Sequence, residues 1–494
     1  MTKLSIACVL LAACTDTTAT QPDPTPPPPP APHRDITGTA TYITTDEAGT
    51  ATRFPIGLHD TIVRAEFPDG DGWDIREGIS RADGTFSIAG APEGDYWFDL
   101  YDVPTTTRNL LWTNADAIAI DQLGAGRGDA VNASGGTTLT FGPIDGLDTV
   151  QDTDGIDLSS GNLGLGFDMY GALAPDTTTL QYTRPWGGLP LVSAAKGDSV
   201  ILTQSRSLTD PDSGLTYGTV IKSATLSFEQ SDGQDTAVAG TFTTPPQVDY
   251  DLRWNRSEFD AISTDINPNV GPNDGQMFLF RAMPGGAQYG TSVLAPVVFA
   301  FDAFQVPGTT DIDLPFTIGN PFPASWLFNQ VAMFYTVPVS VPGMPGATVD
   351  YSVSLVTITN ELASADHPLR PLVSPPRAPT INGMNLFKDH DGVGVTPTIA
   401  WQKPSVGEPT AYVIDISHWE LSSVSGELVP LVSLIVPGDV TSVRVPPRVL
   451  ESGEHYMMQI EAVYQAGQHV RVHSLNTLGL PSGTASVVTG TFVP

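Results

Sequence analysis

The chain has 494 residues, of which 40% are hydrophobic and 15% charged, with a formal net charge of −32. That length exceeds one ordinary core and implies two to four domains of roughly 100 to 200 residues; the low charge argues against a coiled coil, and the acidic surface repels nucleic-acid phosphates and anionic head groups. The 48 Gly and 44 Pro interrupt the chain about every five residues, too often for long helices, so the expected fold class is all-β, built as tandem β-sandwich domains.

Both cysteines, Cys8 and Cys14, fall within the first fourteen residues, so neither a disulfide framework nor a cysteine metal site is available to the rest of the chain. An acidic, Lys-poor surface suits an exported protein and equally a salt-adapted or generally acidic proteome. Residues 1–13 read as an export signal, with Lys3, the apolar run LSIACVLL, and the small pair Ala12 and Ala13. The run is shorter than the roughly 20 apolar residues that a spanning helix needs. Leu11-Ala12-Ala13-Cys14 resembles the lipobox of bacterial lipoproteins. The resemblance implies that Cys14 is acylated and holds the chain to the membrane by a lipid anchor; Thr15, rather than Asp, after it implies the outer membrane of the cell envelope. Residues 14–34 then form a Pro-rich tether, favouring polyproline II at about 3.1 Å per residue.

Residues 35–103 open with the alternation of ITGTATYITT and close with SRADGTFSIAGAPEGDYWFDLYD. The Ala-Asp-Gly turn at 82–84 and Pro92-Glu93-Gly94 predict two successive hairpins. Asp83-Gly84-Thr85-Phe86 with Gly94-Asp95-Tyr96 resembles the signature of carboxypeptidase regulatory-like domains, which implies a prealbumin-like β-sandwich without catalytic residues of its own.

Residues 104–375 carry short β-branched or aromatic segments such as SVILTQS, PVVFAFDAF and VDYSVSLVTIT, bounded by Gly, Pro, Asp and Asn. They predict one large sandwich or two smaller ones, with one short helix after a strand in LRWNRSEFDAIS. The loop DTVQDTDGIDLSSGN offers Asp148, Asp152, Asp154 and Asp157 as calcium ligands, since calcium takes six to eight oxygens from such loops. It does not fit the twelve-residue helix-loop-helix register, and Asp and Gly are also what turns require. FPDGDGWD, with Asp69 and Asp71, and TDPDSG, with Asp210 and Asp212, are lesser candidates of the same kind. No other cofactor is expected.

Gly197-Asp198-Ser199 with Gly271-Pro272-Asn273-Asp274 resembles two blocks of GDSL-type esterases, which would make Ser199 a nucleophile and Asn273 an oxyanion donor. The third block, Asp three places before His, is missing, because Ser364 precedes His367 and Phe387 precedes His390. Ser199 therefore reads as a turn residue. Arg127-Gly128-Asp129 spells an integrin-type tripeptide that Gly-rich loops also produce by chance.

Residues 376–494 contain TPTIAWQKPSVGEPTAYVIDISHWEL and VPPRVLESGEHYMMQIEAVYQAG. Trp401, Pro404, Tyr412, Leu450 and Tyr456 in that order resemble a fibronectin type III domain, and Tyr456 reads as a core ring whose hydroxyl bonds back to the chain. In YMMQIEAVY the residues Tyr456, Met458, Ile460 and Ala462 share one face, which predicts a strand buried on one side. His469 and His473 in HVRVH, taken as strand, lie about 13 Å apart, too far for one metal. Trp73, Trp97, Trp186 and Trp419 are stacking surfaces for sugars if exposed, and core if not. The whole reads as a lipid-anchored envelope protein of structural or binding modules, not an enzyme, with polysaccharide, peptide or another envelope protein as partner; the alternative is a secreted esterase-like hydrolase with its site in the central region.

Overall fold

The computed structural model describes residues 33–494 apart from 60, 102–107, 170, 285–294, 362–365, 423–425 and 474–478; Cys14 and the tether up to residue 32 lie outside the described residues. The first sandwich contains β1 (His33–Thr45), β2 (Ala51–Pro55), β3 (Ile62–Asp69), β4 (Gly72–Glu77), β5 (Ile79–Ser80), β6 (Thr85–Pro92), β7 (Tyr96–Tyr101), β8 (Arg108–Thr113) and β9 (Ala117–Ala125). One sheet runs β5-β6-β1-β9 with β2 also beside β1, and the other runs β4-β3-β7-β8. Alternation along β1 sends Ile36 and Ala40 inward to meet Phe86, Ile88, Phe67 and Phe98. The strands of this sandwich continue past the boundary at residue 103, because β9 is needed beside β1. The hairpin over 79–92 forms as predicted, its Thr85 amide bonded to the Asp83 carboxylate. The second predicted hairpin does not: β6 pairs β1 while β7 pairs β3 and β8, so Pro92-Glu93-Gly94 carries the chain from one sheet to the other.

The central region forms two sandwiches. The second has β10 (Thr138–Asp145), β11 (Gly155–Ser160), β12 (Leu165–Asp168), β13 (Thr179–Pro185), β14 (Val200–Thr209), β15 (Thr216–Leu226) and β16 (Asp235–Thr241); sheet β13-β10-β16 faces β12-β11-β14-β15 across a core that includes Phe141, Leu158, Trp186 and Leu202. The third has β17 (Gln247–Trp254), helix α1 (Arg256–Ser263), β18 (Asn273–Ala282), β19 (Val297–Asp302), β20 (Ile312–Gly319), β21 (Leu327–Ser340) and β22 (Thr348–Thr359). The helix follows its strand as LRWNRSEFDAIS predicts, with Phe259 and Ile262 on the buried face.

The fourth has β23 (Arg377–Ile381), β24 (Met384–Asn385), β25 (His390–Asp391), β26 (Thr398–Gln402), β27 (Ala411–Leu421), β28 (Gly426–Pro437), β29 (Ser442–Arg444), β30 (Tyr456–Gln465) and β31 (Ser482–Val493). Trp401 stacks edge-on against Tyr412 at 4.9 Å, and the Tyr456 hydroxyl accepts from the Glu451 amide at 2.9 Å, closing the corner expected from sequence. Along β30 the predicted inner set is buried, but Met457 and Val463 on the other face are buried too. HVRVH is not a strand: the His473 amide bonds the His469 carbonyl in a turn.

Each sandwich gives one sheet to a shared ladder. Four strands of the first (β4-β3-β7-β8) continue into four of the fourth (β28-β27-β30-β31), then the third (β22-β21-β18-β19), then the second (β15-β14-β11-β12), all within one 17-stranded sheet that also takes in β25. The order along this spine is thus first, fourth, third, second. The third and fourth sandwiches share one apolar core, into which the first inserts Trp97, Leu110 and Trp112. Polar contacts reinforce that joint: Trp97 Nε1 donates to the Arg444 carbonyl at 2.9 Å, Arg444 reaches the carbonyls of Gly70, Asp71 and Gly72, and Arg448 lies 3.2 Å from the fully buried Glu66. Glu47 of the first sandwich also accepts the amides of Gly161 and Asn162 of the second, so the row of sandwiches closes on itself. Among the described residues no helix is long and apolar enough to cross a membrane.

Candidate functional site

Most residues singled out in the sequence are occupied in holding loops. Asp154 receives Arg206 through two nitrogens at 2.7 Å each, and Gln204 at 2.7 Å, while Asp148 lies 3.3 Å from Lys222. Asp152 is exposed, and Asp157 lies on β11, beyond the loop. The four carboxylates therefore do not converge, and among the described residues no group of three or more His, Cys, Asp or Glu side chains is placed to hold a metal ion. Asp71 offers its backbone carbonyl to Arg444, and Asp210 caps its own turn by accepting from Ser213.

The two short motifs of the second sandwich meet each other. Gly197 ends a 3-10 turn with φ +82, a backbone that favours glycine, and this swings Asp198 inward. Asp198 is fully buried and accepts Arg127 Nε at 2.9 Å, Arg127 Nη2 at 3.0 Å and the Ser193 amide at 2.8 Å. Arg127 also holds Asp129 at 2.6 Å, so the arginine of the RGD tripeptide is turned onto the molecule while the Asp129 side chain stays exposed. Ser199 immediately precedes β14 of the second sandwich, whereas Asn273 begins β18 of the third and donates to the carbonyls of Gly275 and Phe334; no hydrogen bond among the described residues joins them. Trp97, Trp186 and Trp419 are core, and Trp73 lies beneath Arg444 at 5.0 Å.

A groove of about 750 Å³ lies over the outward face of the first sandwich. Its floor is two cross-strand rungs, Ser87–Thr37–Ala117 and Thr85–Thr39–Ala119, whose small side chains leave the sheet flat. Arg81 stands over one side, donating to Ser87 Oγ at 3.3 Å. The opposite wall, Val472 and His473, comes from the fourth sandwich and is pinned by the Ala119 amide on the Val472 carbonyl at 2.7 Å. Gly38 sits between the rungs, where an added Cβ would lie 2.0 Å from the Phe86 ring. The surface offers hydroxyls, one guanidinium and one imidazole, a set that hydrogen-bonds hydroxylated or peptide ligands. Sequence shows the Thr-Gly-Thr alternation but not that residues 472–473 come to flank it.

A second cluster lies on the face of the fourth sandwich's spine sheet that points away from its core. Ser433 donates to Asp415; Tyr351 donates to Gln459 at 2.7 Å, Gln459 to Ser486 at 2.7 Å, and Ser486 to Glu461 at 3.2 Å. Burial pushes the Glu461 carboxyl up to about 7, against the Ser486 hydrogen bond and with help from the negative charge of Asp415. A carboxyl raised in the fold binds its proton more tightly there than in the unfolded chain. Its contribution to stability is therefore complete below the ordinary value of 4.5 and is lost as pH rises through about 7. Glu461→Gln should accordingly leave stability near pH 4 unchanged and exceed the parent by up to about 3 kcal/mol at pH 8, as measured by urea unfolding at the two pH values. A difference that does not vary with pH would refute the assignment.

No family model matches the chain, nor does any curated protein sequence. Among solved structures it is similar to the chicken CNTN1 FN1-FN3 domains, at 10% identity, covering 93% of this chain and 100% of that one with a TM-score of 0.15. It is also similar to a Bacteroides eggerthii protein assigned to cell adhesion (13% identity, 65% of this chain and 99% of that one, TM-score 0.15) and to a streptococcal ancillary pilin (10%, 65% and 95%, 0.12). At these TM-scores the likeness carries no argument about how the modules are arranged or what they do. The all-β sandwich architecture rests on the strand pairing itself.

Proposed function

We propose that this chain is a lipid-anchored protein of the cell envelope whose β-sandwiches act together as a non-catalytic binding body, held off the membrane by its Pro-rich tether. The observation that supports a binding body best is the shared ladder: four strands of every sandwich lie on one hydrogen-bonded path, and the first and fourth sandwiches together build the groove over Thr37 and Thr39. A rigid, preformed groove loses little conformational entropy on binding, which favours recognition of an extended ligand. Polysaccharide is the first ligand class to test, because the floor presents hydroxyls and Arg81; a peptide or another envelope protein fits the same surface. Of the residues in the esterase motifs, Asp198 is held by Arg127 and Asn273 bonds the Gly275 and Phe334 carbonyls in a different sandwich from Ser199.

Anchoring and binding are tested on the full chain. Palmitate should label the parent and not Cys14→Ser, which should appear in the soluble fraction after cell lysis; a variant still labelled and still sedimenting with membranes would overturn the anchor. The released Cys14→Ser protein should be retained by insoluble envelope polysaccharide, and Arg81→Glu should weaken that retention at least tenfold. Retention untouched by Arg81→Glu would remove the groove from the proposal.

A further inference from the structure

We infer that a divalent cation, calcium in particular, binds where the second sandwich meets the third, on a rung formed by Asp168, Asp157 and Thr203. Strand pairing sets the three side by side: Asp157 on β11 is directly opposite Asp168 on β12, and on its other edge directly opposite Thr203 on β14. Directly paired residues have Cβ atoms about 4.5–5.5 Å apart and project from the same face. Like charges so placed repel, and among the described residues neither carboxylate has a hydrogen-bond donor or a cation within 4 Å. In this it differs from Asp154, a few residues earlier, which Arg206 neutralises.

A second, independent feature points to a ligand. Thr203 Oγ1 and Ser159 Oγ, whose residues are each only 1% exposed, are buried without a hydrogen-bond partner. Thr203 shares the rung, and Ser159 is on the same face one pleat along β11, opposite Gly166, whose missing side chain leaves room beside Asp168. A buried hydroxyl left unbonded costs about 1–3 kcal/mol, so two on one face as a carboxylate pair indicate a group that bonds them together. Every donor here is oxygen, a mixture of carboxylate and hydroxyl, which is the preference of a hard cation at about 2.3–2.6 Å.

The charge opposed to this is Arg281 on β18, which acts on Asp157 from beyond ion-pair distance. It leaves the rung with two carboxylates against one guanidinium. The junction is formed by the same neighbourhood, since Ile201, on the Ser159 rung, packs in the core of the third and fourth sandwiches.

The experiment uses the full chain, stripped of metal with chelator and titrated with calcium alone by calorimetry, with magnesium in parallel. One saturable calcium site is expected, at least tenfold weaker in Asp168→Asn, which lies at the exposed rim and leaves the fold alone, and in Asp157→Asn. Thr203→Val should weaken calcium several-fold while leaving the melting temperature in chelator unchanged or higher, an effect that a purely structural threonine would not give. Asp152→Asn, on the exposed loop nearby, should change nothing. Three results overturn the proposal: no saturable calcium binding at millimolar concentration, as when Arg281 itself closes on Asp157; binding indifferent to Asp168→Asn and Asp157→Asn, which marks diffuse attraction to the acidic surface; or loss of the site in Asp152→Asn.

Discussion

Trp97→Ala should cost about 3–5 kcal/mol of unfolding free energy, the range for deleting a buried tryptophan, and should loosen the joint between the first and fourth sandwiches. Trp97 is fully buried, meets Trp112 edge-on at 5.0 Å across the strand pair β7–β8, and donates its indole N–H to the Arg444 carbonyl in the fourth sandwich. Alanine would leave a cavity in the shared core and an unpaired carbonyl at its edge. Beside it, β8 adds in parallel to β28 over Val432 to Ile435. Urea unfolding measures the loss, and limited proteolysis should now release the first sandwich as a fragment. A change below about 1 kcal/mol with no new fragment would show that the joint does not depend on this ring.

Asp198→Ala should cost a similar ~3–5 kcal/mol, because it removes the buried carboxylate that Arg127 Nε and the Ser193 amide bond and leaves the guanidinium only the exposed Asp129 as counter-charge. Ser199→Ala, one residue on, should fall within about 0.5 kcal/mol of the parent. The contrast separates two readings of Gly197-Asp198-Ser199. If the serine were a nucleophile, its loss would abolish an ester hydrolysis that the parent performs while stability stayed the same, and the structural account of the motif would be incomplete. Thermal or urea unfolding of both variants, with a chromogenic ester assay of the parent, decides between them.

What was legible in the sequence was local. The Asp83-Gly84 turn, the strand-then-helix of residues 247–263 and the Tyr456 corner each depend on a few adjacent residues whose side chains cap or pack nearby, and all three are found. Pro92-Glu93-Gly94 misled because a tight turn between two strands has the same composition whether the chain returns beside itself or crosses to the facing sheet. The acidic loop misled for a related reason: Asp154 needs a partner, and nothing in DTVQDTDG tells that Arg206, on β14, supplies it. HVRVH alternates like a strand yet turns, since its place is set by the bond to Ala119, more than three hundred residues earlier. The candidate groove was hidden by the same distance, as was the order first, fourth, third, second along the spine.

The groove has its floor in β1, β6 and β9 and its wall in Val472 and His473, more than three hundred residues further along the chain. Synthesis from the N-terminus therefore exposes the hydroxyl rungs of β1, β6 and β9 long before the surface that completes them exists. A chain cut short anywhere before the fourth sandwich would carry the floor of the groove without its wall. The groove therefore comes into being only when the fourth sandwich has folded against the first, and it belongs to their junction and not to the first module by itself.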